Sequence, residues 1–247
     1  MANIILRPSY WASVSGGKDS FYMLNLILNN LDRYPLNGVI HFELKTDFPF
    51  VTKVIDMMEE KCKQFGIIFY RFKPRKSWQS LYDKYGYPDH KSRWCNFAYK
   101  ADCKKQLTDL CKKNGQFVVW YIGLCADEEK RFKAELNDKN AIYRYPLAEN
   151  NIIEYDIWKW AREQPIFNDY YKYNFRCGCM CCPMNSMRED AYCMTYYPEE
   201  FDKLTKLAIS SEERRGICIH QKQMKYNYKY RINRIKEKYL PLKELEI

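Results

Sequence analysis

The residues most ready for chemistry lie in one short string, Ser15-Gly16-Gly17-Lys18-Asp19-Ser20. A chain with only nine glycines sets two of them side by side here. They stand between an apolar run at 10–14 and a stretch with Phe21, Leu24, Leu28 and Leu31 at helical spacing. Glycine at a strand–helix turn permits positive φ and lets a ligand approach the backbone. The amides of the turn and of the helix start then face outward beside the positive end of the helix dipole, which makes an anion site. Lys18 adds a cation on a flexible stem, and Ser15 and Ser20 add hydroxyl donors. Asp19 is repelled by phosphate unless a cation stands between them, so it is assigned to Mg²⁺. The P-loop pattern, with four residues between its first glycine and Gly-Lys, is a different one. The ordinary alternative is a tight turn with incidental polar residues.

The second group is thiol. Of eleven cysteines, Cys177, Cys179, Cys181 and Cys182 fall within six residues. Neighbours so close rarely bridge each other, and in a reducing compartment such clusters more often bind metal. Cys179-x-x-Cys182 brings two thiolates to one metal, and Pro183 stiffens the exit. Cys95, beside Arg93 and Lys100, sits where a thiolate is favoured. Cys179 and Cys182 are the first candidate ligands, with Cys95 and Cys193 to complete the set and Cys177 and Cys181 in reserve. Four thiolates hold a cubane iron–sulfur cluster or a structural zinc; unligated reduced thiols are the third reading. Cys62, Cys103 and Cys111 lie in helix-like stretches and read as bystanders.

Positioning these groups requires a scaffold. Strands are expected at 10–14, 38–44, 67–72, 116–123 and 141–147, with helices at 18–31, 50–66 and 95–113. Strands alternating with helices give an α/β fold: a five-stranded parallel sheet with helices on both faces. After residue 150 the pattern changes to a helix stopped by Pro165, the cysteine-rich segment, a helix opening at Pro198 and a basic tail. The expected organisation is a nucleotide-binding α/β domain over 1–150 and a C-terminal helical, Cys-rich lobe over 151–247.

An apolar content of 47% is enough for a buried core. No run of about 18 apolar residues is present to span a membrane. The N-terminus is too short and polar for a secretory signal, so a cytoplasmic protein without membrane partners is expected. The formal charge of +10 favours a polyanionic partner such as a nucleotide or nucleic acid. Twenty-two tyrosines among many lysines point to compositional bias as a second source of that charge. The tail at 222–240 carries seven Lys or Arg and one Glu, with Ile232, Ile235, Tyr239 and Leu240 on one helical face. Its cations can track a phosphate backbone while its tyrosines stack bases. An amphipathic helix docked on the domain explains the same pattern.

The string SGGKDS resembles the pyrophosphatase loop, SGGxDS, of the adenine nucleotide alpha-hydrolase (PP-loop) enzymes. Further stretches resemble the 3′-phosphoadenylyl-sulfate (PAPS) reductase family within them. "FELKTDFPF" (42–50) matches its DTGxEFPE stretch at Phe48 and Pro49, with Glu43 at the aspartate and Lys45 for the glycine. "HKSRWCNFAYK" (90–100) is similar to RWCxxxxK, through Arg93, Cys95 and Lys100. "YIGLCADEEKR" (121–131) is similar to GxRxDES-R, through Gly123, Asp127, Glu128 and Arg131, with Cys125 in place of the first arginine. The stretch from "YPLAENNIIEYDIWKW" to "RCGCMCCP" follows the family pattern that ends in GC--CP. In order and spacing the resemblance spans roughly 9–205.

The resemblance implies ATP and Mg²⁺ bound at Ser15, Gly16, Gly17, Lys18, Asp19 and Ser20, with Gly123 and Asp127 nearby. It implies Lys18, Asp19, Arg93, Cys95 and Arg131 as catalytic groups and an iron–sulfur cluster at the cysteines. Family reductases that bind only a sulfonucleotide often carry a degraded loop. The intact loop here implies cleavage of ATP to AMP and pyrophosphate, adenylating a nucleic-acid or small-molecule acceptor for sulfur from a donor protein. The alternatives are a PAPS or adenylyl-sulfate reductase, or an ATP-binding accessory subunit with a structural metal. The reductase tail motif, ECG-(I/L)-H, is only loosely similar to "RRGICIH" (214–220).

Overall fold

Five apolar runs of the chain pair as strands of a sheet flanked by helices, which lets the inner strands bury both faces. In the computed structural model, residues 7–135, 141–220, 227–240 and 242 are described. The order is β1 (Arg7–Val14), α1 (Lys18–Leu28), β2 (Gly38–Phe42), α2 (Pro49–Gln64), β3 (Ile68–Phe72) and α3 (Trp78–Tyr85). A π-helical turn (Asn96–Ala101) then leads into α4 (Asp102–Lys113), β4 (Gln116–Ile122), a 3₁₀ turn (Ala126–Glu128) and α5 (Glu129–Glu135). Next come β5 (Ala141–Arg144), α6 (Pro146–Glu149), α7 (Glu154–Arg162), a second 3₁₀ turn (Pro165–Phe167) and α8 (Tyr170–Tyr173). The chain continues through α9 (Met187–Tyr196), α10 (Pro198–Arg215) and α11 (Tyr228–Lys238).

The chain divides into two units. One comprises Met1–Glu43, Pro49–Lys73 and Lys100–Phe167; the other comprises Leu44–Phe48, Pro74–Tyr99 and Asn168–Ile247. The sequence pattern suggests a division at residue 150. The contacts instead group α7 with the sheet, and residues 44–48 and 74–99 with the cysteine-rich segment. A linear reading misses this because the chain leaves the sheet unit twice and returns.

In the sheet unit all neighbouring strands are parallel, in the order β3-β2-β1-β4-β5. Side chains alternate, so Trp11, Ile40, Phe42, Val118 and Trp120 reach one face and pack with Cys103, Leu107 and Cys111 of α4. Trp11 lies opposite Gly38, where a Cβ would collide with the indole. On the other side α1 lies against β1 and α2 against β3. Interior strand β2 is buried throughout, whereas edge strands β3 and β5 are partly exposed.

The strand order reverses between β1 and β4, and ligands of open α/β sheets bind beyond the carboxyl ends of strands at such a switch point. The SGGKDS string follows β1 there, and Gly123 follows β4. No helix among the described residues is long and apolar enough to cross a membrane.

Two helices lie where the sequence pattern predicts none. Helix α3 is capped by Ser77, whose side chain accepts the Ser80 N–H at 3.1 Å. Helix α9 opens with a capping box between Ser186 and Glu189. The helix expected over 95–113 is regular only from Asp102, after the π turn.

Candidate functional site

In the sheet unit, β1 ends at Val14 and α1 begins at Lys18, so the string forms the turn between them. Gly16 has φ +76°, and a Cβ there would lie 2.7 Å from Cγ1 of Val51 on α2. Both facts demand glycine. Gly17 is the N-cap and gives no side-chain cap to the helix start. The loop is tied internally: Ser20 Oγ donates to the Gly17 carbonyl at 3.0 Å and accepts the Ser15 N–H at 3.2 Å. Gly123 comes so close that an added Cβ would meet the Asp19 backbone at 3.2 Å. These contacts fix an amide-lined turn at the positive end of a three-turn helix, an arrangement suited to phosphate.

Lys18 is buried, with its ammonium 2.8 Å from Asp19 Oδ1 and 3.2 Å from Glu154 Oε1. Burial pushes the Asp19 pKa up, and the Lys18 charge and hydrogen bond oppose that shift. Glu154 opens α7, where its N–H donates to Asp127 Oδ1 at 3.0 Å. Asp127 thus caps the helix that delivers Glu154 to Lys18. Glu128 accepts the Cys125 N–H at 3.1 Å and pairs with Arg131, whose side chain is largely exposed. Cys125 is buried with its thiol 3.9 Å from Asp19 Oδ1, and burial pushes that thiol up.

Lys18, Asp19, Gly123 and Asp127, all singled out from sequence, therefore meet around one turn. Glu154 was missed. Its signal lies in the helical stripe it shares with Ile157, Trp158 and Ala161, all buried. A carboxylate on a buried stripe needs a partner, and Lys18 is that partner.

The second unit holds the cysteine pocket, lined by Cys95, Cys179, Cys182, Trp78, Tyr87 and Pro183, among others. The segment that carries it is tightly turned. Cys182 N–H donates to the Cys179 carbonyl at 3.3 Å, and Asn185 N–H donates to the Cys182 carbonyl at 3.0 Å. Cys181, between the two, has φ +53°, a left-handed conformation that non-glycine residues adopt at a cost. Met180 N–H donates to the Thr46 carbonyl at 2.8 Å, and Tyr87 Oη donates to the Cys181 carbonyl at 3.3 Å. The Cys179 thiol beside it, and then burial, push the Cys182 thiol up.

Cys181 lines the same pocket, so four cysteines border it, and thiolates are a soft donor set suited to an iron–sulfur cluster or zinc. Among the described residues, no three His, Cys, Asp or Glu side chains close around a single ion. Cys193 is fully buried on α9, within hydrogen-bond reach of the Cys181 backbone, and is not among the pocket-lining residues. Arg93 also belongs to this unit and is exposed. All eleven cysteines lack disulfide bonds.

The tail helix α11 buries Tyr228, Arg231 and Ile235. The stripe expected from Ile232, Ile235, Tyr239 and Leu240 is thus rotated toward Arg231. Residues 222–226 of the tail lie outside the described residues.

Residues 9–185 match the profile of the phosphoadenosine phosphosulfate reductase domain. No curated protein matches the chain. Among solved structures it is similar to a phosphoadenylyl-sulfate (PAPS) reductase from Candida auris in its phosphate complex. Identity there is 16% and TM-score 0.40, over 63% of this chain and 72% of that one. It is also similar to the U34-tRNA thiolase NcsA from Methanococcus maripaludis with its [4Fe-4S] cluster. Identity there is 17% and TM-score 0.41, over 83% of this chain and 72% of that one.

Proposed function

We propose, for a chain that belongs to the phosphoadenosine phosphosulfate reductase domain family, that it cleaves ATP to AMP and pyrophosphate to adenylate an acceptor for sulfur transfer. The observation that carries this reading is the complete SGGKDS turn, with Gly16 at φ +76° and Lys18 held between Asp19 and Glu154. A sulfonucleotide reductase has no pyrophosphate to expel, and reductases of the family often carry a degraded turn, although some keep it intact. In the proposed reaction an acceptor oxygen attacks the α-phosphorus of ATP. The bond from that phosphorus to the β-phosphate bridging oxygen breaks, and pyrophosphate leaves. A sulfur nucleophile then displaces AMP from the acceptor, a nucleic acid or a small molecule.

The residues divide the work. The turn amides and Lys18 stabilise the charge that builds on departing pyrophosphate, as preorganised dipoles do. Asp19 and Glu154 hold the Lys18 ammonium in place, and Asp19 is the carboxylate offered to Mg²⁺. Asp127 fixes Glu154, and Gly123 lets the β4 loop close on the helix start. Arg131 remains a candidate for phosphate oxygens, being exposed beyond its pair with Glu128. Arg93, exposed in the second unit, is the other.

Cys95, Cys179 and Cys182 are proposed to hold an iron–sulfur cluster, which would supply iron able to bind and present sulfur. Trp78 and Tyr87 line the same pocket as the thiols. The reductase reading would need an exposed nucleophilic thiol in the "RRGICIH" tail. Cys218 there is 2% exposed and hydrogen-bonded to Glu212, which counts against that role. If the acceptor is a nucleic acid, exposed Lys236 and Lys238 of α11 are the cations offered to its backbone.

The test is product analysis on oxygen-free protein supplied with ATP, Mg²⁺ and sulfide, using tRNA, DNA and small thiol-accepting nucleosides as acceptors. AMP with pyrophosphate supports the reading. PAPS turnover with thioredoxin, and ATP left intact, would replace it with the reductase.

A further inference from the structure

The tail helix sends one cation inward, toward the cysteine segment. Arg231, 7% exposed, places Nε 2.7 Å from Asp190 Oδ2 and Nη2 2.7 Å from the Asn185 carbonyl. Asp190 is fully buried, and its other oxygen accepts from Asn185 Nδ2 at 3.1 Å. The same Nδ2 donates to the Cys179 carbonyl at 3.2 Å. One fork of hydrogen bonds therefore runs from α11 through Asp190 and Asn185 to the backbone of Cys179. The Asn185 N–H closes it on the Cys182 carbonyl at 3.0 Å.

Two further observations show that this fork bears on the loop. Gly178 precedes Cys179, and a Cβ on it would come within 3.0 Å of Asn185 Oδ1. The amide thus fills the space that a side chain would need. Cys181 lies in the left-handed region, and such a residue persists when its surroundings over-determine it. The planar guanidinium suits the task, since two parallel donors fix direction as well as distance.

We propose that Arg231, acting through Asp190 and Asn185, is the positioning residue that sets the Cys179–Cys182 loop in its ligand-presenting shape. This rests on the reading that Cys95, Cys179 and Cys182 form a cluster site. It gives the tail a role in metal-site assembly, separate from any contact with nucleic acid.

The test uses the full chain, purified without oxygen and stripped of metal. Cys179 and Cys182 are alkylated with iodoacetamide and followed by peptide mass spectrometry. Arg231→Met and Asn185→Ala should each speed alkylation of both thiols about tenfold, as the loop opens more often. Arg231→Lys, which keeps the charge but loses the fork, should fall between them and the wild type. Lys229→Ala, which removes an outer ion pair with Glu213, should match the wild type. Unchanged alkylation in a folded Arg231→Met protein overturns the proposal. If that variant does not fold, Asn185→Ala decides: faster alkylation supports the role and unchanged alkylation overturns it.

Iron and sulfide uptake, measured in parallel, separates this claim from the cluster reading. Faster alkylation in variants of a protein that never binds iron leaves the positioning role standing and removes the cluster. Normal iron uptake with unchanged alkylation does the reverse.

Discussion

The Lys18 ammonium lies 3.2 Å from the Glu154 carboxylate, 136 residues further along the chain. Both groups are buried, and Asp19 completes the contact at 2.8 Å. If Glu154 acts by holding Lys18, the two are one unit and their losses will not add. Lys18→Met should lower AMP formation by about 10²–10³, the usual effect of losing one preorganised donor to a developing oxyanion. Glu154→Gln should lower it by about tenfold, and the double variant should match Lys18→Met alone. Strictly multiplicative losses in single-turnover assays would show that Glu154 works independently.

Position 16 of the turn tolerates no side chain. Gly16→Ala places a Cβ at φ +76° and 2.7 Å from Val51. We expect a stability loss of about 1–3 kcal/mol and ATP affinity at least about tenfold weaker, because the amides turn away. Denaturant unfolding and calorimetric titration measure the two effects. Undiminished ATP affinity in Gly16→Ala would remove the turn from the nucleotide site.

For the cysteines, the expectation depends on position. Cys95→Ser, Cys179→Ser and Cys182→Ser should each cut iron content to less than about half after reconstitution. Cys193→Ala should keep its iron, because Cys193 is buried at the Cys181 backbone. Iron and sulfide analysis of the four proteins tests these four positions. Loss of iron from Cys193→Ala would return that residue to it.

Much of this architecture is legible in the chain before folding. The turn after β1 is readable because its glycines, lysine and aspartate carry the chemistry in their types alone. The five strands are readable because parallel strands are apolar runs between helical periods. Glu154 and Arg231 are harder: each is a charge on a helix stripe whose other members are apolar, and its partner lies far away in sequence. The capping box at Ser186 and Glu189 was written plainly, but its helix is tyrosine-rich and weakly amphipathic. Cys193 illustrates the converse limit. Spacing shows which thiols are near in sequence, but Cys95, far from the others in sequence, lines the pocket while Cys193 is buried at the Cys181 backbone.

His41 offers a pH signature for the sheet unit. Its Nδ1 lies 3.1 Å from the Val14 carbonyl in a buried setting. Burial pushes its pKa down; the Val14 carbonyl and Glu43 oppose this, and Arg71 and Lys100 reinforce it. The folded chain keeps His41 neutral where the unfolded chain takes a proton. Its stabilisation is complete above the unfolded value of about 6.5 and is lost as pH falls below it, by at most about 1.4 kcal/mol per pH unit. Thermal melts between about pH 7.5 and about pH 5.5 should therefore fall less steeply for His41→Gln than for the wild type. Equal slopes would assign the acid loss to other groups.

The central claim is that the turn at residues 15–20 holds the pyrophosphate end of ATP. Its most direct test is equilibrium binding of ATP with Mg²⁺, and separately of PAPS, to oxygen-free wild-type and Lys18→Ala proteins. The account expects ATP to bind the wild type more tightly than PAPS, and Lys18→Ala to lose about tenfold or more of the ATP affinity while AMP binding changes little. Tight PAPS binding with no measurable ATP binding, or ATP binding indifferent to Lys18→Ala, would contradict it.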